Sequence, residues 1–478
     1  MKPCFDNIIV GSSLTGLVAA LELAKQKQTV LLISPSAMPG GHFAGVLAMG
    51  RRFDVGMVIM ELTSFNADKG ADLRTYDLNV RNDVGRFFPI IKTYIEKYVD
   101  LVLTPRPKTF FRGQCYDDFF LTNSFEVLGA LSAGEREIVR SELEGLLQPD
   151  NQLHARFKSR ERERFLEASF SAVSKANHGS TIHHLFVEPF LRKVLNTGSE
   201  SISALAHRLC WLPLYYPETL LSQFGNTPQT LGDTHFHYPA GSTMHALPEA
   251  LMAALANEAT ATIEVDRVTR IDSGSQRITT LGGQTFSYGK LLWLEEPATF
   301  MKAVGAETPI KETAVPQLRA SLAMCFFVVS KMAITKSVSS VFIVDEDLHA
   351  YRYSNLQVCS GGQDVDVKLV VEFNMDRLNS HGIAEDDAII AEGLKTLLHL
   401  GVINDPSSVQ NASVLRLPNR LHIPTPSSLN EFARQRQAAL STFTDDTVVL
   451  GGNSSGVETK SFADCIAQGL KFAEIAQI

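Results

Sequence analysis

Two glycines near the start of the chain have the spacing of a turn that can hold a pyrophosphate. They bound the segment GSSLTG, which lies between the strand-like run DNIIV and the helix-like run LVAALELAKQK. At such a junction the first glycine permits a tight turn, and the last lets the helix pack closely on the strand. The unpaired N–H groups at the start of the helix then face the phosphates. The candidate binding residues are Gly11, Ser12, Ser13, Leu14, Thr15 and Gly16.

This turn departs from the usual dinucleotide pattern at two positions. Ser13 replaces the middle glycine, where the backbone must approach phosphate closely. Ser34 ends the second apolar strand, TVLLIS, where the pattern has an acid that holds a ribose. Both side chains are small and carry a hydroxyl, so we expect Ser13 to add a hydrogen bond to phosphate and Ser34 to bond the ribose more weakly than a carboxylate.

Several later segments follow the turn in a recognisable order. They are PGGH at 39–42 followed by GRRFDVG, then FVEPFLRKVLNTGSESISA, HYPAGSTMHALPEAL, IEVDRVTRI and TVVLGGNSSGVETKSFADCIAQGLKFAEIA. This series resembles the FAD-containing amine oxidase and desaturase superfamily, which includes protoporphyrinogen oxidase-like and UDP-galactopyranose mutase-like proteins. The resemblance covers almost the whole chain and implies that the cofactor is FAD.

The resemblance implies cofactor contacts at the second glycine segment and at a later strand. Gly40 and Gly41 would let the backbone approach the phosphates and the edge of the flavin, and His42 would lie near the flavin. Val268, in the strand IEVDRVTRI, would contact the adenine end.

The resemblance also implies that the last 30 residues return to the cofactor. Gly451 and Gly452 would let the backbone reach the ribityl chain, and Asn453 replaces the acid usual there. The final helix, which begins near Ser461, would direct its positive end at the flavin and favour the anionic reduced form.

The predicted fold class is α/β, a Rossmann-like FAD-binding domain with an inserted α+β substrate domain. The FAD-binding domain is discontinuous and comprises residues 1–75, 243–310 and 440–478. Residues 76–242 and 311–439 form the substrate or cap domain, with helical and β segments.

No side chain is identified as catalytic, because the cofactor would perform the redox step. The aromatic segments 207–217, with His207 and Trp211, and 235–238 are candidates for the wall of a substrate pocket. Ordinary aromatic core packing is the alternative for both. Arg352 and Arg416 are candidates for substrate phosphate only by their region of the chain.

Composition excludes several other classes of protein. A net charge of −8 without a basic block gives no reason to expect nucleic-acid binding, and no apolar run approaches the roughly 18–20 residues of a membrane helix. The six cysteines form no C-x-x-C pair, which argues against a metal site. The start of the chain lacks the pattern of a secretory signal, so we expect a cytoplasmic protein.

Three functions remain open at this point. The first is a FAD-dependent oxidoreductase of the amine oxidase or desaturase type, acting on an unidentified small molecule. The second is a flavin-dependent mutase-like enzyme for a nucleotide sugar. The third is a non-catalytic homologue that acts as a partner of another protein. It is favoured by the departures at Ser34 and Asn453 and by Ser242, which replaces the second glycine of the Tyr-Pro-x-Gly-Gly stretch that HYPAGSTMHALPEAL resembles.

Overall fold

The computed structural model describes most of the chain. The described residues are 4–63, 70–76, 78, 84–122, 124–148, 168–204, 215–225, 235–272, 274–305, 318–441, 447–454 and 461–476. His207 and Trp211 lie outside them. The described helices are α1 (Leu14–Lys25), α2 (Phe88–Ile95), α3 (Ala133–Leu146), α4 (Phe170–Ile182), α5 (Glu188–Leu195), α6 (Pro217–Ser222), α7 (Ala246–Ala256), α8 (Pro297–Ala303), α9 (Leu356–Ser360), α10 (Met375–Ser380), α11 (Asp386–His399), α12 (Pro426–Ser441) and α13 (Phe462–Ile475).

The first sheet joins strands from the beginning, the middle and the end of the chain. In spatial order it contains β10 (Ala261–Val265), β2 (Val30–Ser34), β1 (Cys4–Val10), β13 (Thr285–Trp293), β12 (Arg277–Thr280) and β11 (Val268–Asp272), and β19 (Val448–Leu450) pairs with the end of β13. The pairs β10–β2, β2–β1, β1–β13 and β13–β19 are parallel. This is the open parallel sheet of a Rossmann-like domain, with an antiparallel edge.

Helices cover both faces of the first sheet. On one face α1 and α13 pack so closely that a Cβ atom at Gly469 would lie 2.8 Å from the carbonyl oxygen of Thr15. Every residue of β2 is buried, as expected for a parallel strand covered on both sides. The predicted α/β fold class is therefore confirmed.

The second sheet also has seven strands, which are mostly antiparallel. Its order is β18 (Val409–His422), β14 (Arg319–Ser330), β17 (Asp366–Asn374), β16 (Arg352–Asn355), β15 (Ser340–Ile343), β7 (Lys108–Phe111) and β8 (Gln114–Asp117). One face packs on α10 and α11, and the other faces the helical layer of α3 to α6 and the hairpin of β3 (Val46–Ala48) and β4 (Arg51–Phe53). A small sheet of β5 (Met60–Glu61), β9 (Phe236–Pro239) and β6 (Leu101–Thr104) connects the two parts.

The division into domains at residues 75 and 439 remains a proposal. Two helices beyond those boundaries pack with the first sheet: α2 joins the core of α1 and α13, and α12 packs against α8. Among the described helices, none combines the length and the apolar character needed to cross a membrane.

Candidate functional site

The turn between β1 and α1 has the geometry that its glycines predict. Gly11 has a φ of +113°, which L side chains rarely adopt, and its N–H donates to the carbonyl oxygen of Ile33 at 2.9 Å. A Cβ atom at Gly16 would lie only 2.1 Å from the carbonyl oxygen of Gly11. The turn can therefore keep this shape only with glycine at position 16.

The start of α1 offers polar atoms without internal partners. Ser13 caps the helix, but its side chain makes no capping hydrogen bond, and the first turn contains no acidic residue. Within the described part of the chain, the buried hydroxyl oxygens of Ser13 and Thr15 have no hydrogen-bond partner. A helix end with these features is suited to an anionic group.

The second glycine segment lies directly beside this turn. The N–H of Gly40 donates to the carbonyl oxygen of Ser12 at 2.7 Å, and a Cβ atom at Gly40 would lie 2.6 Å from Cβ of Pro248 in α7. A Cβ atom at Gly41 would be 3.8 Å from Cα of Ser13. Gly40 and Gly41 thus run along the start of α1, and His42 follows with an exposed side chain.

The glycines at the two ends of the chain meet on Leu294, which follows β13. A Cβ atom added at Gly11 or at Gly451 would lie 3.1 Å from the Leu294 side chain, and one added at Gly452 would lie 3.2 Å from it. The N–H of Asn453 donates to the Leu294 carbonyl oxygen at 3.0 Å. Leu294 could not be identified from the sequence, because its position depends on the pairing of β13 with both β1 and β19.

The start of α13 differs from its predicted role in one respect. Ser461 caps the helix and accepts from the N–H of Asp464 at 3.1 Å, while the Asp464 carboxylate also bonds Tyr76. The first turn therefore carries an acidic side chain, which offsets the positive end of the helix. Gln468, one turn later, accepts from the N–H of Gly452 at 2.9 Å and so ties α13 to the closing glycines.

The Ser34 side chain is buried, and its hydroxyl is already engaged. It is 1% exposed and donates to the carbonyl oxygen of Ser36. The Ser12 hydroxyl, 2.6 Å away, must therefore donate to Ser34. Val265 of β10 pairs with Ser34, beside which the ribose was predicted. Val268 begins β11 three residues after Val265, so it follows closely on this end of the sheet.

We expect Ser34→Glu to destabilise the protein by about 1–3 kcal/mol, because the larger side chain would overpack a buried site and its charge would replace a satisfied hydroxyl. Thermal unfolding measures the effect, with Ser36→Glu as an exposed control. An unchanged melting temperature together with tighter FAD binding would instead show that the carboxylate reaches a ribose.

The hairpin of β3 and β4 is fixed by Asp54. The Asp54 carboxylate accepts from the Tyr238 hydroxyl and, at 3.0 Å, from the N–H of Met244 just before α7. Burial raises the pKa of Asp54 to about 6, against the opposing effect of these hydrogen bonds. Asp54 thereby holds the loop after β4 in place, including Gly56.

Gly56 brings the first domain into contact with the second sheet. A Cβ atom at Gly56 would lie 3.3 Å from Nη2 of Arg352, 3.8 Å from Oε2 of Glu372 and 3.9 Å from Cε1 of His42. Arg352 and Glu372 form a buried bidentate ion pair with N–O distances of 2.6 Å. The groups packed around the ring displace water from it, and together with the charges of Arg420 and Arg352 this desolvation lowers the pKa of His42 to about 4, although the residue as a whole is exposed.

Of the two arginines considered from the sequence, Arg352 lies at this interface and Arg416 does not. Arg416 is exposed and pairs with Asp386 on the α11 side of the second sheet. Arg420, whose charge acts on His42, was not predicted from the sequence. The one available signal was Pro418, since a proline within a strand marks a sheet edge or a bulge, but the proline-rich run around it does not itself indicate a strand.

The aromatic candidates that the structure describes pack as core residues. Tyr215 is buried against Phe119 and donates to the carbonyl oxygen of that residue. Tyr238 is buried on Asp54, and His237 is 3% exposed. Among the described residues, no group of His, Cys, Asp or Glu side chains could hold a metal ion.

Comparisons with known proteins agree with this architecture. A family model described as an NAD(P)-binding Rossmann-like domain matches residues 9–70. No curated protein matches the sequence.

Solved structures with the same fold cover nearly the whole chain. Reduced UDP-galactopyranose mutase matches with a TM-score of 0.68 and 15% identity over 98% of this chain and 95% of that chain. Cyclohexylamine oxidase from Brevibacterium oxydans IH-35A matches with a TM-score of 0.60 and 13% identity over 99% of both chains. Wild-type putrescine oxidase bound to putrescine matches with a TM-score of 0.63 and 11% identity over 100% of both chains. The chain therefore has the fold of the FAD-containing amine oxidase superfamily that its motifs resemble.

Proposed function

We propose that the chain binds FAD and is a FAD-dependent oxidoreductase of the amine oxidase or desaturase type, acting on a small molecule. The observation that carries this proposal is the meeting of Gly11, Gly451 and Gly452 on Leu294. A simple βαβ turn has no need of a second glycine pair from the far end of the chain. A cofactor that extends from the α1 turn to the α13 end explains both.

The residues present fit two of three parts of FAD well, the pyrophosphate and the ribityl chain, and fit the adenosine ribose less well. The start of α1 and the Gly40-Gly41 backbone would hold the pyrophosphate, and the Gly451-Gly452-Asn453 segment would lie along the ribityl chain. The adenosine ribose is the weakest fit, because the Ser34 hydroxyl already bonds Ser12 and Ser36. Affinity for FAD would then depend mainly on the phosphate and flavin ends.

When bound, the flavin would supply the acceptor for two electrons. The chain's own groups would orient it and tune it. Asp464 places a carboxylate at the start of α13, so this helix would favour an anionic reduced flavin less than an uncapped helix would. Asp54 would position the hairpin that brings Gly56 and His42 to the second sheet.

A mutase-like reaction is the second candidate, because reduced UDP-galactopyranose mutase is among the structures that match, with a TM-score of 0.68. An anaerobic experiment separates the two. An oxidoreductase should bleach with its substrate and recover its colour with an acceptor. A mutase should turn over only after prior reduction and should return its flavin reduced. We expect the first behaviour.

A further inference from the structure

Tyr76 lies far from the closing glycine motif in the sequence but reaches the start of α13. It is 1% exposed, and its hydroxyl donates to Oδ1 of Asp464 at 3.1 Å. Burial and the charge of Asp464 raise the pKa of Tyr76, so the hydroxyl keeps its proton and stays a donor at neutral pH. Tyr76 therefore neutralises part of the charge that Asp464 brings to the first turn of this helix.

A buried chain of hydrogen bonds connects Tyr76 with the closing glycines as well. Gln468 is 1% exposed, accepts from the N–H of Gly452 at 2.9 Å and also hydrogen-bonds the Tyr76 hydroxyl. Since the Tyr76 hydroxyl has a single proton, which it gives to Asp464, the NH2 group of Gln468 must be the donor in this bond. One tyrosine thus joins the segment proposed to lie along the ribityl chain to the first turn of α13.

The first turn of α13 lies beside the second glycine segment. Phe462, its first residue, packs edge-on against Phe43, with the ring centroids 5.3 Å apart. Phe43 comes two residues after Gly41, where a Cβ atom would lie 3.8 Å from Cα of Ser13 in the α1 turn. Asp464 is two residues further along the same turn of α13 and is 6% exposed. The carboxylate is therefore buried next to the segments that would hold the flavin.

A carboxylate near a flavin opposes the addition of electrons, and a hydrogen bond donated to that carboxylate reduces the effect. We propose that Tyr76 is a positioning residue that sets the reduction potential of the bound flavin through Asp464. Its hydroxyl keeps the carboxylate fixed and partly neutralised at the start of α13. The proposal rests on the proposed function, because it requires bound FAD.

The test compares the full-length protein, loaded with FAD, with four variants: Tyr76→Phe, Asp464→Asn, the two combined, and Tyr94→Phe. Tyr94→Phe is the matched control, because Tyr94 is 4% exposed and also donates to a carboxylate, that of Glu22, at 3.1 Å. Glu22 lies near the other end of α1, away from the glycine turn. Stepwise reduction against a dye of known potential, at one slightly alkaline pH, gives the midpoint potential. Absorbance after unfolding gives the FAD content.

We expect the two single variants to shift the potential in opposite directions. Asp464→Asn should raise it, because a negative charge is removed, and Tyr76→Phe should lower it, because the carboxylate loses a donor. Each shift should correspond to about a tenfold change in the equilibrium constant for reduction, which is ~30 mV for a two-electron couple. The combined variant should match Asp464→Asn, since no carboxylate remains for Tyr76 to act on. Tyr94→Phe should have the potential of the wild type, and all variants should keep FAD bound.

The proposal is overturned if Tyr76→Phe and Asp464→Asn shift the potential in the same direction, or if either keeps the potential of the wild type. A combined variant that differs from Asp464→Asn would also overturn it, because Tyr76 would then act by another route. So would loss of FAD from Tyr76→Phe, since the hydroxyl would then hold the site together rather than tune the cofactor. In each of these cases a yellow wild type leaves the proposed function standing. A wild type that binds no FAD would overturn both proposals.

Discussion

Gly16→Ala should abolish FAD binding and destabilise the first domain. The new methyl group would lie 2.1 Å from the carbonyl oxygen of Gly11 and 3.0 Å from Cδ1 of Leu294, so α1 must move away from β1. Overpacking of this kind costs about 1–3 kcal/mol, and a contact with backbone is at the upper end. Loss of a cofactor present at a thousandfold excess over its Kd would remove about 4 kcal/mol more.

Flavin absorbance and thermal unfolding measure both effects in one preparation. Gly134→Ala is the matched control, because Gly134 is also helical and a Cβ atom there meets nothing within 4 Å. The control should keep its flavin and its melting temperature. Stoichiometric flavin in Gly16→Ala would show that the cofactor does not use the α1 turn.

Glu372→Leu should destabilise the protein by about 3–5 kcal/mol. It removes the partner of Arg352, which is 2% exposed, and leaves a guanidinium charge buried between the second sheet and Gly56. It also removes the acceptor of the Tyr351 hydroxyl, which lies 3.0 Å from Oε2 of Glu372. Chemical denaturation measures the change in the free energy of unfolding.

The double variant Arg352→Met with Glu372→Leu tests whether the unpaired charge causes this loss of stability. Since it leaves no unpaired charge, most of the lost stability should return, as apolar replacements of buried ion pairs are often neutral. If the double variant is less stable than Glu372→Leu alone, Arg352 stabilises the interface through contacts other than this ion pair.

The β1–α1–β2 unit could be predicted because its signals are local. Two glycines at fixed spacing and uninterrupted apolar strands specify the unit without help from distant residues. The order of the later glycine motifs, including Gly40 and Gly451, then predicted the fold. The convergence on Leu294 could not be predicted, since a leucine after a strand carries no pattern of its own.

The region 409–441 shows where sequence reasoning failed. The proline-rich run LPNRLHIPTPSS carries no clear strand or helix pattern, yet β18 continues through Pro418 to His422 and α12 begins at Pro426. Pro418 is tolerated because the strand lies at the sheet edge and bulges there. Arg420 was missed for a related reason, because its position near His42 depends on the shift in register between β14 and β18 and on the packing of the hairpin against the second sheet.

The visible absorbance spectrum of the purified protein, recorded with its melting temperature before and after addition of FAD, tests the central claim most directly. The account predicts a yellow protein with about one flavin per chain, or a colourless one that melts at a higher temperature with added FAD and stays yellow after unbound FAD is removed. A protein that stays colourless and whose melting temperature does not change with FAD would contradict it.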